Sequence, residues 1–508
     1  MRLSLRQLLR LYLPLAASDL LLGASETAVN AGIARLAQPA LSLAAYGAVI
    51  ATALLIESPV IMLLHAANAL ATDAAAFRRL RRFTLVLAGV LTGLHALLAF
   101  TPLFRWYFGR VLGLEPEVLA LARPSFALML PWTGTIAWRR LHQGLLIRHG
   151  HTGVVGRGTL IRLLAIATGM ALVGGLAGAP GAVAGGAGLA AGVTAECLYI
   201  GWVAARWMRE SGWDGTTGAG AGSRPGRGSG SGSGTSTGAG ASGGVPAGAR
   251  PTPWASARAE AGAGEGTASP LSWRQLLAFY TPLALTSMTT FAARPVLTGL
   301  LARSADAPVG LAAWPVTWST LLLFMLPMRT IEQITIPHAG TGAERDVQRF
   351  ARLAGIAGSA LLAALAATSL LGRYLEAAIG VTGPVLAAAR ASLLWLAPVP
   401  FIVTGASFAA GRLVRHRQTL FVHLAALANV GLLAVTALTL HTLWPALPGT
   451  RTAALSLIIA YLGEWAVLTA GAALALGRVH TAGRGPGTTP APSAPAGTPG
   501  LPAAGQRN

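Results

Sequence analysis

The chain alternates long apolar stretches with short polar ones. Residues 83–101, 354–372 and 419–440 each run for 18 or more positions almost without charge. About 20 residues at a helical rise of 1.5 Å cross a hydrocarbon core, so each such stretch predicts a bilayer-spanning helix. Taking every stretch of this kind predicts spans at 11–36, 42–71, 82–101, 117–147, 155–177, 180–206, 272–303, 308–338, 352–372, 383–412, 419–442 and 452–478. The expected fold class is an all-α membrane protein of about twelve transmembrane helices.

The spans fall into two halves that repeat. A shift of 268 residues places Pro14-Leu15-Ala16 on Pro282-Leu283-Ala284, Arg35 on Arg303, Thr52 on Thr320 and Pro59 on Pro327. A shift of 267 places Arg123, Ser125 and Pro131 on Arg390, Ser392 and Pro398, and Arg148-His149 on Arg415-His416. Leu and Ala match by chance in apolar helices, but Arg, Pro and His in a near-constant register signify duplication. The expected domains are a bundle over 1–210, a Gly/Ser/Pro-rich linker over 211–270, a second bundle over 271–478 and a tail over 479–508. A flexible linker of that length has a mean end-to-end distance of about 40 Å, enough to join two bundles. Six spans per half start both halves on one membrane face, which makes them parallel repeats.

Composition then sharpens the picture. Of 508 residues, 53% are hydrophobic and 11% charged, against roughly 25% charged in soluble domains. The net charge is +21, all of the basic residues being Arg. In a soluble protein that balance suggests nucleic acid, but here the arginines gather in short loops and serve topology. Arg78, Arg79, Arg81, Arg82, Arg148, Arg157, Arg345, Arg349, Arg352, Arg412, Arg415 and Arg417 lie on the side of the N-terminus, so both termini and the linker are expected in the cytoplasm. Arg2, Arg6 and Arg10 ahead of an apolar run imitate a signal peptide, yet Asp19, Glu26 and Asn30 interrupt the run. The single Cys197 excludes a disulfide framework.

Ionisable groups at bilayer depth are costly, which makes them candidates for function. The candidates for holding substrate are Arg294, Arg139, Arg329, Arg390 and Asn30; those for coupling to an ion are Glu26, Asp19 and Glu57. Glu26 and Arg294 occupy equivalent repeat positions with opposite charge. Either they meet across the cleft between the lobes, or each is satisfied within its own bundle. The adjacent Arg139 and Arg140 point about 100° apart on a helix, so one can line the pathway while the other snorkels to the cytoplasmic surface, and snorkelling is the stronger reading for the pair. Glu196 and Glu464 read as repeated structural carboxylates, each holding an arginine within its lobe. His65, His95 and His142 lack ligand spacing, so no metal is expected. Gly186-x-Gly188-x-x-Ala191 imitates a dinucleotide fingerprint but follows no strand; Gly181/Gly185 and Gly188/Gly192 instead suit close helix packing. Without a Walker loop, zinc motif or nucleophile elbow, no enzyme and no cofactor are expected, and a gradient or passive flux drives any transport. Prolines inside spans, among them Pro59, Pro131, Pro295, Pro327 and Pro398, bend helices near a midplane cavity.

Glu26-Thr27-Ala28-Val29-Asn30-Ala31-Gly32-Ile33-Ala34 and Ala45-Tyr46-Gly47 resemble the first two spans of the progressive ankylosis proteins. The likeness continues at Ala137-Trp138, Leu145-Leu146-Ile147-Arg148-His149, Pro282-Leu283-Ala284-Leu285, Arg294-Pro295-Val296, Pro398-Val399-Pro400 and Gly463-Glu464. It implies the fold of the multidrug/oligosaccharidyl-lipid/polysaccharide exporters, two six-helix bundles in a MATE-like V that opens alternately to either side. It also implies export of a pyrophosphate, nucleotide or small carboxylate from the plasma membrane. Relatives that extrude cationic drugs in exchange for protons or sodium often use a first-span carboxylate, where Glu26 stands. Others flip lipid-linked sugars. The expected partners are therefore a small anionic substrate, a coupling proton or sodium ion and membrane lipids, with no nucleic acid, for a protein that acts as a monomer. A lipid-linked flippase, a cation-coupled multidrug exporter and a membrane scaffold are the alternatives.

Overall fold

The computed structural model describes residues 3–151, 153–213, 271–416 and 418–482. Among these every regular element is helical. The first half runs α1 (Leu5–Ala34), α2 (Pro39–Ile61), α3 (Leu63–Leu70), α4 (Ala74–Phe100), α5 (Pro116–Leu128), α6 (Leu130–Arg148), α7 (Gly153–Met170) and α8 (Gly181–Glu210). The second runs α9 (Trp273–Ala302), α10 (Ala307–His338), α11 (Glu344–Ala367), α12 (Ser369–Arg373), α13 (Gly383–Trp395), α14 (Val399–Arg415), α15 (Thr419–Leu443) and α16 (Gly449–Ala482). The linker and tail expected at 211–270 and 479–508 lie outside the described residues, except that Ser211–Trp213 form a turn and α16 continues to Ala482.

Among the described residues ten helical segments are long and apolar enough to cross a bilayer, and α13 with α14, bent by 47°, passes the same test as a pair. Its first-half counterpart is α5 with α6, broken at Met129. That pair carries Arg139, Arg140 and Arg148, which lower its apolarity without removing its place in the repeat. With it, each half has six segments of membrane-spanning length among the described residues.

The duplication reaches the helix ends. Ser4 caps α1 in a capping box with Gln7, and Ser272 caps α9 in the same way with Gln275, 268 residues on. Each box gives orphan first-turn N–H groups an oxygen to bond to. Glycines let α8 approach its neighbours. A Cβ on Gly188 would stand 2.9 Å from the Ile166 carbonyl oxygen, and one on Gly192 would stand 2.9 Å from that of Arg162. Backbone cannot yield as a side chain can, so larger residues there would push α7 off α8. The halves meet where α1 packs along α10, α9 along α2, and α2 against α10.

Candidate functional site

The seam between the halves carries nearly all of the interlobe polar contacts. On the face opposite the N-terminus it is latched twice. Arg35, at the end of α1, donates to the carbonyls of Ala377 (2.9 Å), Ala378 (2.8 Å) and Ile379 (3.0 Å). Arg303, its repeat equivalent at the end of α9, donates to those of Arg110 (3.0 Å), Val111 (2.7 Å) and Leu112 (2.9 Å). Each guanidinium thereby caps a π-helical turn in the other half, Tyr374–Ile379 and Arg105–Val111 respectively. Those turns end at Gly380 (φ 94°) and Gly113 (φ 80°), left-handed conformations that stop the helix and leave its last carbonyls free.

Deeper along the seam, Asn30 is buried and its amide donates to Pro315 O (2.9 Å) and Ser319 Oγ (3.0 Å) across the interface. Beside it, a Cβ on Gly47 would stand 2.5 Å from Pro315 Cγ. Next comes the ion pair of Glu26 with Arg294, at 3.2 Å from Oε1 to Nη2. The Arg294 guanidinium also lies 5.1 Å from the Trp318 ring centroid, within cation–π range. The Glu26 side chain retains 35% of its accessible surface and that of Arg294 retains 17%, so the pair borders open space. Further toward the N-terminal face, Asp19 accepts from Thr330 Oγ1 (2.8 Å), Ser287 Oγ donates to Ser58 O (2.7 Å) and the Tyr280 hydroxyl donates to Pro59 O (2.5 Å). His65, Asn68, Arg329 and Gln333 are exposed there, while α10 from Gly310 to Leu322 is almost wholly buried. The seam is shut on the opposite face and accessible from the N-terminal face.

Within the first half a second group of charges adjoins the seam. Arg139 forms a buried ion pair with Glu196, which also takes Gln143 Nε2 (3.2 Å) and lies 3.7 Å from Arg162. Glu57 is buried within electrostatic reach of Arg139, Arg140, Arg162 and Arg294, and its Oε2 has no hydrogen-bond partner among the described residues. Arg140 makes no hydrogen bond or ion pair among the described residues, and its Nε is likewise unsatisfied. Four guanidiniums (Arg139, Arg140, Arg162, Arg294) lie within electrostatic reach of Glu57, and Arg294 also pairs with Glu26 and Arg139 with Glu196.

In the second half, Arg329 lies beside Tyr461, Glu464 and Glu332 around a cavity of about 40 Å³, and Glu464 accepts from Asn429 (2.7 Å). Glu196 holds Arg139 as expected, whereas Glu464 makes no ion pair among the described residues and has Arg329 only within electrostatic reach. Two other expectations change. Arg390 does not reach the seam: it donates to Ala366 O (3.0 Å) and Ala367 O (3.2 Å), capping the end of α11. Its repeat equivalent Arg123 caps α4 at Ala99 O (3.2 Å). Free carbonyls at a helix end attract a guanidinium more cheaply than a solvated cleft does. Arg139 does not snorkel either, because Glu196 gives it an interior counter-ion. Arg140 and Arg162 were the residues to add, Arg162 being legible as a charge inside an apolar span.

Comparison with known proteins adds the following. The model of the family described as progressive ankylosis protein matches residues 3–173 and 266–480. No curated protein matches the chain in sequence. Among solved structures, an inward-facing multidrug resistance MATE family transporter of the MOP superfamily shares the fold, with a TM-score of 0.62 at 15% identity over 91% of this chain and 96% of that one. A MOP superfamily transporter from Pyrococcus furiosus, described with reversed polarity of its binding pocket, gives 0.55 at 11% identity over 94% and 96%. The lipid II flippase MurJ in an inward closed conformation gives 0.57 at 9% identity over 93% and 92%. The two-bundle architecture is therefore that of the MATE-like transporters.

Proposed function

The chain belongs to the progressive ankylosis protein family, and from that premise we propose that it is an alternating-access carrier exporting a small organic or phosphate anion across the plasma membrane. The observation that carries the reading is the cluster of four guanidiniums beside the seam, and above all Arg140, which makes no hydrogen bond or ion pair among the described residues. The carboxylates that act on Arg140, Glu57 and Glu196, are shared with Arg139 and Arg162, and an anion entering from the accessible side would give this costly buried guanidinium a partner of its own. Guanidinium also matches phosphate and carboxylate oxygens in geometry. Arg294 would lend a second fork, since its hold on Glu26 is a single contact at 3.2 Å that an incoming anion can replace. Glu26, released by that exchange, is placed to take up a proton or sodium ion, and Asp19 and Glu57 border the same path. Arg329 with Glu332 and Glu464 forms a separate polar station in the second half.

The test is thermal stabilisation of the purified full chain by pyrophosphate, ATP and citrate. A native-state ligand at a hundred times its dissociation constant stabilises by about 2.7 kcal/mol. We expect at least one of these anions to raise Tm in the wild type and not in Arg140→Gln. If none does, the anion reading fails; if undecaprenyl phosphate alone stabilises, the protein handles a lipid-linked substrate instead.

A further inference from the structure

We propose that the first bundle holds an anionic phospholipid in a lateral groove on its N-terminal face, apart from the seam. The groove has a cavity of about 400 Å³ between α4, α6 and α8. It exists because α4 packs on α6 and α6 on α8, while α4 and α8 scarcely touch. Its floor is apolar and aromatic, with Phe77, Trp138 and Trp213, and its mouth carries Arg78, Arg81 and Arg209.

The charges at the mouth are largely uncompensated. Asp73 caps α4 through the Ala76 N–H (2.8 Å), which holds its carboxyl below the usual range and keeps it ionised near Arg78. Glu210 is taken by Arg206 at 2.7 Å. Arg81 and Arg209 have no ion-pair or hydrogen-bond partner among the described residues. A further donor is idle: the Trp213 indole N–H is buried with no partner among the described residues in the wall of the same cavity. The side of α8 next to the groove exposes Leu198 (69%) and Trp202 (57%), surface that suits acyl chains. A phosphodiester at the mouth and glycerol and acyl carbons on the aromatic floor satisfy both ends, as basic pockets between spans at an interface do. Nor is the groove a by-product of the repeat. At a shift of 267, Phe77 becomes Glu344, Arg81 becomes Gln348 and Trp138 becomes Gly405. Glu344 pairs with Arg412 at 2.8 Å, and Trp465 lies where a Cβ on Gly405 would go.

Free phosphate offers the same oxygens, so the experiment separates the two sources. The full chain is reconstituted in nanodiscs of phosphatidylcholine with a minor share of phosphatidylglycerol, extracted, and its retained lipids counted by mass spectrometry. The wild type should retain phosphatidylglycerol selectively, and the Arg81→Gln/Arg209→Gln variant should lose on the order of 30-fold in that selectivity. Gly201→Leu, which fills the floor beside Trp138 without changing charge, should lose the lipid as well. Unchanged retention in both variants overturns the proposal. Release of the lipid by millimolar inorganic phosphate also overturns it, in favour of a soluble anion. Neither variant touches the seam, so a failure here leaves the transport reading to its own test.

Discussion

Removing Glu26 or Arg294 singly leaves its partner charged and only partly hydrated. For a pair this accessible the cost is about 1–3 kcal/mol, below that of a fully buried pair. Arg294→Lys keeps the charge but loses the guanidinium fork, so anion affinity should fall more than charge alone predicts. The decisive comparison is the swap Glu26→Arg with Arg294→Glu. If the two residues are coupled, the double variant should regain on the order of 1–3 kcal/mol over the sum of the singles in thermal unfolding. Strict additivity would show that the contact carries no coupling. This contact was legible in the sequence because register placed two opposite charges at equivalent positions. The role of Arg390 is hidden in the sequence for the converse reason: capping depends on where α11 ends, and an apolar profile blurs helix ends by several residues. The clue was there in Arg123, whose repeated spacing from an alanine at the end of the preceding span marks a structural role.

At the scale of elements, the reciprocal caps formed by Arg35 and Arg303 tie each half to a π-helical turn of the other. Opening the far face requires all six of these interlobe hydrogen bonds to break. Hydrogen bonds from a charged donor contribute about 1.5–3 kcal/mol each in favourable cases, so the latches favour the arrangement accessible from the N-terminal face. In a Cys197→Ser background, spin labels at Leu103→Cys and Leu370→Cys report the separation of the halves on the latched side. Arg35→Ala with Arg303→Ala should shift the distance distribution to longer values. An unchanged distribution would mean that α1–α10 and α9–α2 packing holds that side without them. The sequence showed Arg35 and Arg303 only as a register match, since their partners are backbone carbonyls that leave no trace in residue type. Helix breaks were easier to read, prolines marking both α5–α6 and α13–α14.

For the whole molecule, the two-bundle fold was legible because apolar length and duplication are both written in one dimension. What lines the cavity was not, because neighbouring helices decide which face of a span meets water. Orientation rests on the arginine asymmetry between the two faces. With Cys197 replaced, a cysteine at Ala446 should react with a membrane-impermeant reagent added outside intact cells, and one at Thr341 should not. Both positions are exposed and lie on opposite faces. The reverse pattern would invert the topology and make the accessible seam an outward one.

Gly47 and Pro315 touch, as do Glu26 and Arg294, and in each case the two residues are each other's repeat equivalents. A residue meets its own equivalent only on the axis relating the halves, so the axis runs through both contacts. In a dimer of identical halves, symmetry would set Glu26 against a second Glu26, or an arginine against an arginine. Opposite charges on the axis are open only to a chain whose halves have been joined and have diverged. The same pair then acts as a mark of identity: the first half repels a copy of itself at the one point where the second half attracts it.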